Sequence, residues 1–273
     1  VSAPGWYDDP WFEDQLRWWD GRAWTAQVAH RSSVPAHRAP TSVPTLPLAA
    51  AAGGLAVVAV ALVGSRLLLD WLAGLGWPVA VYVVIGGLLG YGPVLLWCGV
   101  VVHRWGGGHW GLALGARGRG IDAAWGPLTW LGCLAAQVVA AVAVVSLGVP
   151  FEGNTEGLDS ASGERGYVLA LAILAVVAAP VVEELLFRGV VLRGLCSVTT
   201  PARAVAAQAL LFGLVHVDPV RGAGNLGLVI VLGAVGAVLG ASALLVGRLA
   251  PAMIAHAMVN TVALVVALTG LAG

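Results

Sequence analysis

The sequence predicts an all-α polytopic membrane protein with about seven transmembrane helices and a small N-terminal Trp-rich β-hairpin unit. Three observations predict it. Of 273 residues, 59% are hydrophobic and 10% charged, a composition outside the range of soluble domains. Apolar runs near the ~20 residues that cross a bilayer recur along the chain. Five of the twelve tryptophans crowd into the polar stretch before the first run.

Residues 1–30 read as one unit, Pro-Gly-Trp-Tyr-Asp-Asp-Pro-Trp followed by Gln-Leu-Arg-Trp-Trp-Asp-Gly-Arg-Ala-Trp-Thr. Asp20-Gly21 between Trp-rich runs signals a hairpin, with its rings expected to stack. Asp8, Asp9, Glu13 and Asp14 oppose docking of this unit on an anionic leaflet. Residues 31–46, rich in Pro, Ser, Thr and Ala without periodicity, are expected to be a linker.

Residues 47–165 hold the first spans and 166–273 the segment with chemistry. The spans are expected at about Pro47 to Leu69, Val79 to Val102, Pro127 to Val149, Tyr167 to Leu195, Pro201 to Val217, Leu226 to Val246 and Ala252 to Leu271. The N-terminal stretch lacks a basic n-region and an apolar h-region, so the first span is expected to direct insertion. Every basic residue is Arg, and formal net charge is zero. No nucleic-acid partner is expected; the lipid bilayer is. Arg31, Arg38, Arg104, Arg117, Arg119, Arg193, Arg203 and Arg248 fall on one side, which puts the N-terminus in the cytoplasm of a cell-membrane protein. Glu152, Glu156, Asp159, Glu164 and Asp218 fall on the other, with Arg165 and Arg221. Cys98, Cys133 and Cys196, an odd set without CxxC spacing, read as inert thiols.

Three polar patches interrupt the apolar segments: Glu183-Glu184-x-x-x-Arg188, Phe212-x-x-x-His216 and His256-x-x-x-Asn260. A charge near the bilayer centre costs about 2.5–3.5 kcal/mol on insertion scales, so three in one span ask for a purpose. Pro180 removes a backbone donor and predicts a bend that turns the acids toward a cavity. Glu184 and Arg188 share a face and are expected to pair; Glu183, about 100° around the helix, stays available as a base. Counting from Thr199-Thr200-Pro201 in both directions brings Glu183 and His216 to one depth, within roughly one 1.5 Å rise. His256 and Asn260, one turn apart, point the same way. An acid beside an imidazole suits water activation, and a second His with an Asn suits an oxyanion, which together suggest peptide-bond hydrolysis inside the membrane. Phe212, Ser242, Gly233, Gly236 and Gly240 read as packing positions.

These motifs, in this order over residues Tyr167 to Gly270, resemble the CAAX-processing and bacteriocin-processing membrane protease family, the CPBP, Rce1-like or Abi proteins. The resemblance implies that Glu183 and His216 activate water, that Glu184 and Arg188 support the site, and that His256 and Asn260 stabilise the oxyanion. It implies a membrane-associated peptide or protein substrate. The family is commonly labelled metalloprotease, and two His with two Glu offer zinc ligands, yet they lack HExxH or CxxC spacing. The reading leans to a metal-free, glutamate-dependent site and leaves a divalent metal open. The N-terminal unit resembles a short Trp-rich domain of unknown function and implies no activity. An ion- or proton-coupled transporter and a catalytically silent immunity or scaffold protein are the competing classes.

Overall fold

The structure, a computed structural model, describes residues 4–11, 15–30, 45–153 and 164–269. Residues 1–43 and 44–273 separate into two compact units. Most of the expected linker lies outside the described residues, as do Glu13, Asp14, Arg31, Arg38, Glu156 and Asp159.

The N-terminal unit is a three-stranded antiparallel sheet in the order β1 (Gly5–Asp8), β2 (Gln15–Trp19), β3 (Trp24–His30). The hairpin expected at Asp20-Gly21 joins β2 to β3. There Gly21 takes φ +96°, a left-handed value that glycine tolerates without cost. The Asp20 carboxylate accepts from the Ala23 and Arg22 amides, each at 2.7 Å, which holds its pKa below the ordinary carboxylate range. The rings do not stack as expected. Trp6–Trp18, Tyr7–Trp24 and Trp19–Trp24 meet edge to face at 5.5, 6.1 and 5.3 Å, the arrangement that ring quadrupoles favour. Asp9 lies buried beneath them. Burial alone would raise its pKa, but the Trp11 amide, Arg17 and Gln15 outweigh burial and lower it.

The second unit is a multi-pass membrane bundle. Among the described residues six helices are long and apolar enough to span a bilayer: α1 (Leu48–Leu72), α2 (Val79–Trp105), α4 (Asp122–Ser146), α5 (Arg165–Leu195), α7 (Asn225–Val246, preceded by a 3-10 turn) and α8 (Ala250–Thr269). A short α3 (Trp110–Ala113) lies in the connection after α2. The fifth of the expected spans is shorter than its apolar run: α6 (Pro201–Leu214) starts where Thr200 caps the Arg203 amide, and regular helix stops before His216. At 1.5 Å per residue it reaches roughly 21 Å, well short of the ~30 Å hydrocarbon core. Asp218-Pro219 opens the 3-10 turn Pro219–Gly224, which Asn225 closes by donating to the Asp218 and Gly222 carbonyls at 2.7 and 2.9 Å. Irregular backbone inside this bundle is therefore satisfied internally.

The C-terminal half of α5 is the centre of the fold. From Val182 to Gly194 every residue but Glu183 is buried, and Leu185, Leu186, Phe187, Val190 and Val191 pack in the largest core cluster. Two arginines that read as flanking charges are buried beside it. Arg193 donates to the Ala113 carbonyl at 3.1 Å, over Gly115, whose φ of +74° and missing side chain leave room for the guanidinium. Arg248 donates through Nε to both Asp122 oxygens at 3.1 and 3.2 Å, joining the start of α4 to the α7–α8 connection. All three cysteines are free.

Glycine lets α6 and α7 touch. A Cβ built on Gly213 would stand 2.6 Å from the Val229 carbonyl oxygen, which is backbone and has nowhere to go. Gly213→Ala is expected to cost about 1–3 kcal/mol through overpacking, whereas a Cβ on Gly99 meets its nearest neighbour at 3.9 Å and Gly99→Ala should be neutral; thermal unfolding in detergent compares the two. In the Trp-rich unit, the lowered Asp9 pKa contributes stability above the ordinary carboxylate pKa near 3.9, and this is lost as pH falls through the folded-state value. Asp9→Asn should therefore expose residues 4–30 to limited proteolysis at pH 7 as acid exposes the unmodified protein.

Candidate functional site

The site begins with a break in helical register. Pro180 has no N–H, and the turn before it, Ile173–Ala178, is wound as π-helix. In that register the donor at position 180 would have served the Ala175 carbonyl, five residues back. Asn260 of α8 supplies the missing donor, its Nδ2 lying 2.8 Å from Ala175 O. The bend expected from Pro180 is thus realised as a π turn, and a side chain from another helix completes the backbone pairing. One regular stretch, Ala179–Glu184, carries both acids, and a second π segment, Leu185–Val191, carries Arg188.

Glu184 is the fixed acid. Its Oε1 accepts from Arg188 Nη1 at 2.8 Å and faces His256 Nδ1 at 2.9 Å, and its side chain is fully buried. Arg188 is anchored on its other side: Nη2 donates to the Gly236 carbonyl at 3.1 Å, and the guanidinium lies 4.5 Å over the Phe212 ring. Gln208 of α6 donates to the same carbonyl at 3.0 Å. This contact needs glycine in α7, since a Cβ on Gly236 would stand 3.1 Å from the Phe212 ring and one on Gly240 3.2 Å from Gln208 Nε2. The close-packing role expected for these glycines therefore acts on the site itself. Ser242, expected to pack, does so through a 2.9 Å hydroxyl contact with Thr129.

Glu183 is the more accessible acid. Its side chain is 15% exposed against 0% for Glu184. Oε1 accepts from the Tyr91 hydroxyl of α2 at 2.8 Å, and Oε2 has no hydrogen-bond partner and lies 3.8 Å from His256 Nε2. His256 is therefore bracketed by the two carboxylates. A carboxylate held by Arg188 only accepts, so His256 Nδ1 carries the proton and Nε2 faces Glu183.

The sequence expects Glu183 and His216 to meet; in the structure the imidazole within 4 Å of Glu183 is that of His256. Because α6 ends at Leu214, His216 sits in the following turn, with Nδ1 2.7 Å from its own Phe212 carbonyl and no ion pair with either acid. Its ring meets Phe212 at 4.9 Å, and the opposite neighbour of Phe212 is His256 at 5.8 Å. Phe212, read as packing, is the aromatic wall that both imidazoles and Arg188 share. Tyr91 and Gln208 escaped the sequence reading, although each is a polar group inside an apolar span, the same signal that exposed the acids.

A metal does not fit this donor set. Glu184 Oε1 already takes Arg188 and His256, His216 faces a backbone carbonyl, and among the described residues no three His, Cys, Asp or Glu side chains are grouped to hold an ion. Trp110, Ala116, Arg117, Val181, Leu185 and Met253 line an open, mostly apolar hollow of about 430 Å³, and Val181 and Leu185 flank the two acids in sequence.

Comparison with known families agrees with the motif-based resemblance. Residues 165–262 match the family model described as type II CAAX prenyl endopeptidase Rce1-like. Residues 4–40 match a protein of unknown function, DUF2510. No curated protein and no solved structure matches the chain.

Removing Arg188 while Glu184 stays would strand a buried carboxylate. Arg188→Met is expected to cost about 3–5 kcal/mol, and adding Glu184→Gln to recover part of it; thermal unfolding in detergent measures both, and a double variant no more stable than the single one would show that Glu184 does not depend on this cation.

Proposed function

We propose that this site is an intramembrane endopeptidase that hydrolyses a peptide bond of a membrane-associated peptide or protein, using a glutamate-activated water. The observation that carries the reading is His256 held between two carboxylates, Nδ1 at 2.9 Å from Glu184 and Nε2 at 3.8 Å from the unpartnered Oε2 of Glu183. The match of residues 165–262 to the Rce1-like family supports the reaction class.

Of the two acids, Glu184 is spent on Arg188 and His256, so Glu183 is the base. A substrate water about 2.8 Å from both Glu183 Oε2 and His256 Nε2 sits at the apex of a triangle whose base is the 3.8 Å gap. Glu183 takes its proton as the oxygen attacks the scissile carbonyl carbon. The negative charge then passes to the carbonyl oxygen. His256 Nε2, an acceptor in a ring whose Nδ1 proton is given to Glu184, takes the hydrogen bond from the water's other hydrogen, and the second amide hydrogen of Asn260 is the donor for that oxyanion. Glu183 returns the proton to the leaving nitrogen, and the C–N bond breaks. Glu184, Arg188, Gln208 and Phe212 keep His256 in place.

His216 is anchored through Nδ1 on a carbonyl, which leaves Nε2 as an acceptor on the far side of Phe212. Its contribution is to the wall of the site and not to a direct pair with Glu183. The apolar cavity flanked by Val181, Leu185 and Met253 is the approach for the substrate's apolar segment. The Arg-rich connections support a cytoplasmic N-terminus in a cell-membrane protein.

Cleavage of a quenched fluorescent peptide library by the protein in proteoliposomes tests this. Glu183→Gln and His256→Ala should each lose about a hundred- to ten-thousand-fold in rate, His216→Ala should lose less, and a chelator should leave the rate unchanged. Undiminished cleavage by Glu183→Gln overturns the assignment of the base. Equal losses in Glu183→Gln and His216→Ala would restore those two residues as the working pair.

A further inference from the structure

Tyr91 lies outside the segment that matches the protease family, on α2, yet its hydroxyl makes the one hydrogen bond that Glu183 receives among the described residues. It stands in the middle of its span. Twelve residues separate it from Val79 and fourteen from Trp105, roughly 18 and 21 Å along the helix, so it lies far from either end of the span. Its ring packs on the core cluster built around α5, and the glycines on either side, Gly90 and Gly92, have open space where a Cβ would be. Nothing in that packing calls for a hydroxyl. The O–H has one partner, Oε1 of Glu183 at 2.8 Å.

We propose that Tyr91 is a positioning residue for the glutamate base, through which the N-terminal helices complete a site otherwise carried by α5, α6 and α8. The inference rests on the hydrolytic reading of Glu183. A carboxylate has two oxygens, and a base must direct one of them. With Oε1 held from the α2 side, the carboxylate plane is set and Oε2 is left facing His256 Nε2. A hydroxyl donates more strongly to a charged acceptor than to a neutral one. The groups that face Glu183 are Tyr91 from α2, His256 from α8, and Glu184 and Arg188 from its own helix. The imidazole of His216, from the turn after α6, is directed to the Phe212 carbonyl.

Infrared difference titration of the full-length protein in proteoliposomes reads this without a substrate. The protonated-carboxyl band that disappears in Glu183→Gln belongs to Glu183. Tyr91→Phe, which keeps the ring and its packing, should raise the midpoint of that band by about one to two pH units, the size of a hydrogen bond to a charged group. Replacing Tyr91 by 3-fluorotyrosine, a stronger donor of the same shape, should move it the other way. In the peptide-cleavage assay the acid limb of the rate profile should follow the Tyr91→Phe shift, whereas a merely structural loss lowers the rate at every pH and leaves the limb in place. The same titration in wild type and both Tyr91 variants, including no Glu183 band in any of them, overturns the inference. That result is separable from failure of the hydrolytic reading, which Glu183→Gln decides in the cleavage assay.

Discussion

The ion pair between Glu184 and Arg188 is the constraint on which the bundle core is organised. Both side chains are buried, where an isolated charge would cost several kcal/mol. Their mutual attraction offsets that only if the remaining hydrogen-bonding capacity is also met. The structure meets most of it from elsewhere: the Gly236 carbonyl on α7, the Phe212 face on α6 and the His256 imidazole on α8. Four helices are thereby held to one another around a pair that α5 alone contributes. Among the described residues Arg188 Nε and Glu184 Oε2 have no partner, and an apolar core would leave no such groups to satisfy. A site for chemistry is a reason for such a core to persist.

A second constraint is backbone register. Two π segments in α5 flank the acids, and each changes the angle at which the following side chains leave the helix. The first is completed by Asn260, which occupies one of that side chain's two amide hydrogens in mending a carbonyl left open by Pro180. Asn260 therefore links the position of α8, and with it His256, to the bend that presents Glu183. The opposite end of the bundle is held differently: Asp122–Arg248 and Arg193 clamp the connections, and none of these three touches the acids.

Much of the architecture was legible in the chain because hydrophobic length is a local property. The apolar runs, the Pro and Gly residues between them and the Asp20-Gly21 turn mark the helices and the Trp-rich sheet, whose first strand alone lacked a turn signal. The three polar patches mark the site for the same reason, since each is an anomaly in its own segment. Depth arithmetic paired Glu183 with His216. It assumed a straight helix through Val217, and α6 stops at Leu214, where the chain bends toward Asp218-Pro219. Likewise Arg193 and Arg248 looked like topology signals, and only the fold shows them buried against carbonyls and Asp122.

By itself the sequence determined that this is a multi-pass membrane protein with a polar, ionisable cluster in its C-terminal spans, because the energy of placing charge in hydrocarbon depends on residue type and run length alone. Tertiary structure decided which groups meet. Glu183 lies 3.8 Å from His256, Tyr91 arrives from 92 residues earlier, and Gln208 reaches the carbonyl that steadies Arg188. Contacts between helices are set by crossing angles, π turns and missing Cβ atoms, and no periodicity within one segment encodes which face of a neighbour it will touch.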